Sequence, residues 1–210
     1  MAGVLALWHN LAPGAEEVFP RWYNRQHLFE RVGVPGFQFG QRYQALAADR
    51  QYFCFYQVAE PAVLASPAYL ERLDNPTAWT RDVMAYFRDM LRTVCTITHS
   101  QGALVGSHCV TWRCNAAPVA HAATLAVLGG RDDVARVQLW QAAATQTPEN
   151  NEAKLRQGDA LIGGALVVQC IGEQAARDVA ALDVSAVVGS AQPQSYALLA
   201  ARYPATAPMM

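Results

Sequence analysis

The sequence predicts an α+β protein made of two βαββαβ units, and three observations carry that prediction. Hydrophobic periodicity gives the order strand, helix, strand, strand, helix, strand, and then the same order again. Two aromatic-rich strands of the first half are separated only by Ala48-Asp49-Arg50, too few residues for a crossover, so they should pair as an antiparallel hairpin. The halves also echo each other. LALWHNLAP at residues 5–13 matches CVTWRCNAAP at 109–118, and RYQA at 42–45 faces LWQA at 139–142, which points to internal duplication.

Taken in order, residues 3–11 suit a strand ended by the turn-forming pair Pro13-Gly14. A helix follows with Glu16 and Glu17 in its first turn, where its dipole favours negative charge. Phe19, Trp22 or Tyr23, Gln26 or His27, and Glu30 or Arg31 then recur at helical spacing, so His27 lies one turn after Tyr23 on the same face. Beyond Gly33-Val34-Pro35-Gly36, residues 37–46 and 51–58 read as strands and 61–73 as a short helix or helical pair. Asn75-Pro76-Thr77 provides an N-cap with proline at the first helical position. The helix it opens should be long, with Trp79, Val83, Phe87, Met90 or Leu91, and Val94 as its apolar stripe, and a strand is expected over 95–105. In the second half, 107–115, 134–143, 161–171 and 194–203 read as strands, and 118–128 and 173–182 as helices. The polar stretch 145–158 is expected to be a surface loop. The units are thus 1–105 and 106–204, with 205–210 expected to fray.

With 52% hydrophobic and 16% charged residues and a net charge of -1, the chain has the composition of a compact soluble protein. Basic residues alternate with acidic ones, as in Arg81-Asp82 and Arg88-Asp89, so neither nucleic acid nor an anionic membrane is an expected partner. The start lacks a basic segment and reaches His9 too soon for a signal-peptide core. No apolar run approaches the roughly 18–20 residues of a membrane span, and a cytoplasmic location is expected. The five cysteines are odd in number and form no CxxC pair, which reads as reduced, buried thiols. The histidines lack HxH or HxxxH spacing, so no metal site is expected. There is no dinucleotide glycine motif in a strand–helix setting, no Walker motif and no GxSxG elbow, and the expected chemistry uses no cofactor.

Trp8 near the end of the first strand, FPRWYNRQH at residues 19–27 and VPGFQFGQRY at 34–43 form a pattern. Through it the first half, residues 3–100, resembles the EthD-like branch of the dimeric α+β barrel superfamily. That resemblance implies two four-stranded sheets enclosing a small ligand cavity, here with the second half supplying the partner sheet. The same stretch is similar to the corresponding part of methylmuconolactone isomerases, cofactor-free proton-transfer enzymes of aromatic catabolism. It implies an acid/base region at His27, before the Pro35-Gly36 turn, and Tyr43, after it.

His27 is the leading candidate because imidazole both takes and returns a proton near neutral pH. Tyr23 would orient it or donate a proton. His9, at the end of the first strand, and Arg42 would bind the polar end of a substrate. Adjacent strand residues face opposite sides of a sheet, so Tyr43 rather than Arg42 is expected to face the cavity. Tyr52 and Tyr56 share a face with Cys54, opposite Phe53 and Phe55, and with Trp79 on the next helix they are candidate substrate contacts. Where the first half carries WYNRQH, the second carries AHAATLAVLGG, which predicts one active cavity, in the first half. The leading expectation is a cofactor-independent isomerase or lyase acting by proton transfer on a small carbonyl compound or aromatic-derived acid. Alternatives are a cofactor-independent monooxygenase of quinol-like substrates and a non-catalytic ligand-binding or assembly protein. Exposed helices leave room for a homo-oligomer.

Overall fold

In the computed structural model, residues 1–156 and 158–204 are described; the 205–210 tail, expected to fray, lies outside them. Strands β1 (Gly3–Leu11), β2 (Phe37–Ala47), β3 (Tyr52–Val58), β4 (Phe87–Gln101), β5 (His108–Cys114), β6 (Val134–Ala142), β7 (Gly164–Cys170) and β8 (Pro193–Arg202) close into one barrel. The order is β1-β3-β2-β8-β5-β7-β6-β4, and all neighbouring pairs are antiparallel. Each half therefore contributes four strands in the split βαβ order, β4-β1-β3-β2 and β8-β5-β7-β6. The β2–β8 and β4–β6 pairs join the halves, so no edge strand is left open.

One expected element is wrong. The helix α4 (Ala78–Met84), capped by the Thr77 side chain, is short, and the rest of the expected long helix is strand β4. The β1–β4 register shifts between Trp8 and Asn10, and Asp89 takes a positive φ of 51°. This irregularity puts Phe87 and Met90 in the same buried cluster despite their odd spacing, which imitates a helical stripe. Pairing with β1 and β6 then decides the conformation.

The lumen is a solid core. Val4, Ala6 and Trp8 of β1 meet Phe39 and Tyr43 of β2, Phe53 and Phe55 of β3, Trp140 of β6 and Tyr196 of β8 in one buried cluster. Trp8 stacks on Phe53 with centroids 4.8 Å apart, and Tyr43 stacks on Phe53 at 5.5 Å. An eight-stranded barrel is just wide enough for side chains to fill, and seven aromatic residues do so here. The cavity expected between the sheets is therefore not there.

Helices cover the outside. In the first half they pack on Leu5, Cys54, Tyr56 and Val94, and in the second on Val110, Trp112, Leu166 and Val168. The Trp8 and Trp112 echo is out of phase, since Trp8 faces the lumen and Trp112 the helices. Arg113, the expected counterpart of His9, instead lies 5.8 Å from the Trp8 ring and pairs with Asp49. Among the described residues all five cysteines are free and buried, and no helix is long and apolar enough to cross a membrane.

Candidate active site

The helix after β1 changes pitch midway. Helix α1 (Val18–Trp22) passes into a π-helical turn (Tyr23–His27) and then α2 (Leu28–Val32), and the Leu28 N–H donates to the Tyr23 carbonyl five residues back. The turn holds the Tyr23 and His27 rings 5.2 Å apart against the outer face of the sheet. Below them, a Cβ on Gly40 would come within 2.7 Å of the Tyr56 ring, so glycine makes room for that ring. The Tyr56 hydroxyl sits 2.7 Å from that of Tyr23.

Between this helix, α3 (Pro67–Asp74), α4 and strands β1, β3 and β4 lies a narrow, partly enclosed cavity of about 30 Å³. That is room for about two water molecules. Leu5, Phe87 and Met90 form apolar wall, while His9, His27, Tyr23, Tyr56 and Cys54 supply groups able to move or share protons. Burial lowers the pKa of His27 well below the usual value, and the Arg31 and Arg156 charges push it the same way. Burial brings His9 down to about 3 against its contact with the Asn10 carbonyl at 3.3 Å. Both imidazoles are uncharged at neutral pH. Burial also raises the Tyr23 hydroxyl well above its usual value and the Cys54 thiol to about 11, so both stay protonated. His27 Nδ1 is buried with no hydrogen-bond partner among the described residues.

These lowered values have a consequence for stability. Below about pH 6.5 the unfolded chain binds protons at these two positions that the folded chain refuses. Stability should therefore be full above about pH 6.5 and fall as the pH drops, by up to about 1.4 kcal/mol per pH unit for each histidine. Urea unfolding between about pH 7.5 and 5 reads this slope. His9→Gln and His27→Gln should each flatten it, and an unchanged slope in both variants would show that the imidazoles are hydrated.

The second half closes the cavity. Glu152 and Arg156, from the polar stretch expected to be a plain surface loop, line it. Glu152 pairs with the buried Arg31, and its own N–H donates to the Leu73 carbonyl at 2.9 Å. Burial works against charge on Arg31, but Glu152 together with Tyr69, Tyr56 and Glu30 more than offsets it, so its pKa is raised and the guanidinium stays ionised. Arg156 makes a two-pronged contact with Asp159, each prong 2.7 Å, and Nη1 donates to the Glu152 carbonyl. Gln146 bonds both the N–H and the carbonyl of Val94, which ties this strap to β4.

The structure thus brings His27, Tyr23, His9 and Tyr56 together at one cavity and leaves out the other candidates. Tyr43 is on the opposite face of the sheet, fully buried in the lumen, where its hydroxyl donates to Gln41 at 2.8 Å. A β-bulge between Phe37 and Phe39 sets this phase. Arg42 faces the helix, on the opposite side of the strand from the inward Tyr43, but it does not line the cavity. Its guanidinium lies 4.6 Å from the Tyr23 centroid and donates to Asn24 at 3.1 Å, which braces the tyrosine from behind. Tyr52 stacks behind His9 at 5.3 Å, and Trp79 is half-buried at the edge of this core. Sequence reasoning missed Arg31, Arg92, Glu152 and Arg156. Arg31 was findable, four residues after His27 on the same helix face. Among the described residues no group of three or more His, Cys, Asp or Glu side chains is placed to hold a metal ion.

No protein-family model matches the sequence, and no curated protein matches it. Solved structures do match the fold. Over 98% of this chain and 94% of the other, it is similar to an anthrone oxidase-like protein, with a TM-score of 0.65 at 12% identity. The fold is a dimeric α+β barrel within one chain. Two proteins assigned provisionally as monooxygenases share it. That from Fusobacterium nucleatum gives a TM-score of 0.58 at 5% identity over 97% of this chain and 95% of its own. That from Lactobacillus acidophilus gives 0.55 at 5% identity over 96% of each.

Proposed function

We propose that this chain is an enzyme that oxygenates a small electron-rich aromatic of the quinol or anthrone type, with the first-half cavity as its active site. The observation that carries this reading is the narrow cavity in which two uncharged histidines and a tyrosine pair meet apolar wall. In such a site His27, held as free base, takes a proton from an activated ring CH₂ or hydroxyl, and the Tyr23 hydroxyl donates a hydrogen bond to the neighbouring carbonyl oxygen. The resulting carbanion supplies electrons to O₂. Collapse of the organic hydroperoxide turns CH₂ into C=O, with one oxygen atom in the product and the other in water. The protein's part is proton removal, orientation and exclusion of bulk water.

The fold likeness to an anthrone oxidase-like protein and to proteins assigned as monooxygenases supports oxygenation over isomerisation, which would share the first proton transfer. The WYNRQH run supports reading the first half as EthD-like and residues 106–204 as a second unit without that cluster, one that lends Glu152 and Arg156 to the cavity. A ring system is far larger than the cavity, so the strap must move to admit it. A solvent-open pocket of about 390 Å³ that shares Phe87, Met90 and Arg156 with the cavity marks the access side.

The test is an oxygen-electrode assay with 1,8-dihydroxyanthrone and a panel of quinols. The expected result is enzyme-dependent uptake of one O₂ per substrate, stopped under anaerobic conditions. Substrate loss at an equal rate without oxygen would reassign the site to isomerase or lyase chemistry. Binding without turnover across the panel would make it a binding protein.

A further inference from the structure

One end of the cavity is not apolar. Arg31, Arg92 and Arg156 line it, against a single carboxylate, Glu152. Asp159 holds Arg156 from outside the lining and still leaves one positive charge unanswered. Two of these arginine side chains are sequestered, with Arg31 3% and Arg156 4% exposed. Their donors are only partly used. Arg31 Nη2 donates to Glu152, whereas Nη1 is buried with no partner among the described residues. Arg92 spends Nη2 on the Tyr69 hydroxyl and the Thr147 hydroxyl, each at 3.1 Å. A buried guanidinium nitrogen without an acceptor, in a cavity with surplus positive charge, is costly unless an anion completes it. The access pocket has the same bias, with Arg50, Arg88 and Arg156 against Asp89 and Asp159.

We infer that the site takes an acidic substrate, an aromatic ring bearing a carboxylate, with that carboxylate received by Arg31 Nη1 and Arg92 and the ring lying toward His27 and Tyr23. Arg31 is then a binding residue, held in place by Glu152 from the other half of the chain. The guanidinium fork suits a planar carboxylate, which accepts two N–H donors at once. This inference names the substrate class of the site proposed above and rests on that site being the place where substrate binds.

Isothermal titration of the intact chain with salicylate and with salicylamide tests it, because the two probes match in shape and differ in charge. Salicylate should bind at least about tenfold more tightly, equivalent to roughly 1.4 kcal/mol. The double variant Arg31→Met with Glu152→Leu leaves neither partner charged and alone, and should bring the two affinities within about twofold. Arg92→Leu, in which the Arg31–Glu152 pair still stands, should weaken salicylate several-fold and leave salicylamide unchanged. Equal affinities in the intact chain, no salicylate binding, or a preference that survives both changes overturns the inference. The titration needs no oxygen. Oxygen uptake with a neutral anthrone alongside equal probe affinities would remove only the acid preference, whereas a strong salicylate preference without oxygen uptake would remove only the oxygenation.

Discussion

His27→Gln is expected to cut oxygen uptake by about 10²–10⁴-fold, the range for loss of a positioned general base, while the protein remains folded. Glutamine keeps a polar side chain of similar size beneath Trp22, whose ring lies 4.2 Å from the imidazole, but cannot accept a proton at neutral pH. No hydrogen bond to His27 Nδ1 is lost, because none is made among the described residues. The stability cost should be about 1 kcal/mol, the ordinary size for a single change. Tyr43→Phe is the matched control from the other face of the sheet. It removes one lumen hydrogen bond, to Gln41, and should leave the rate within about twofold of the parent while costing roughly 1 kcal/mol of stability. Normal turnover by His27→Gln, or an equal collapse of both variants, would move the base elsewhere.

Glu152→Ala should destabilise the fold by about 3–5 kcal/mol, because it leaves the Arg31 guanidinium charged and buried without its carboxylate. The Glu152 N–H bond to Leu73 and the Arg156 bond to the Glu152 carbonyl are made by the backbone and survive the change, so the cost is that of the lost side-chain pair. Adding Arg31→Met should recover much of the loss, since the buried charge then disappears. Thermal unfolding of the parent, both single variants and the pair gives the coupling directly. A cost below about 1 kcal/mol for Glu152→Ala would show that water replaces the carboxylate, and that the strap is open in solution.

The particular residues show why some of this was legible and some not. His27 and Tyr23 were found together because helical spacing is local, and a π turn in place of an α turn kept both on the buried face. Tyr56 and Cys54 were correctly set apart from Phe53 and Phe55, since strand alternation is also local. Tyr43 does point inwards as expected, but the lumen it enters is filled, and alternation along one strand could not tell that the cavity lies on the helix side of the sheet. Arg31 lay within the same helical pattern and was passed over in favour of Arg42. Glu152 and Arg156 had no signal at all, as their meaning depends on a strap crossing from the second half.

What the sequence determined by itself is the strand and helix order, apart from β4, and through it two four-stranded βαββαβ sets. Those follow from periodicities of a few residues and from turn chemistry, which act along the chain. Only the tertiary structure decided that the lumen is filled by aromatic rings, that the cavity lies outside it under the first-half helix, and that a loop from the other half closes it with charge. Those features depend on barrel closure and on the phase of each strand, where one shifted residue turns a side chain from one face to the other.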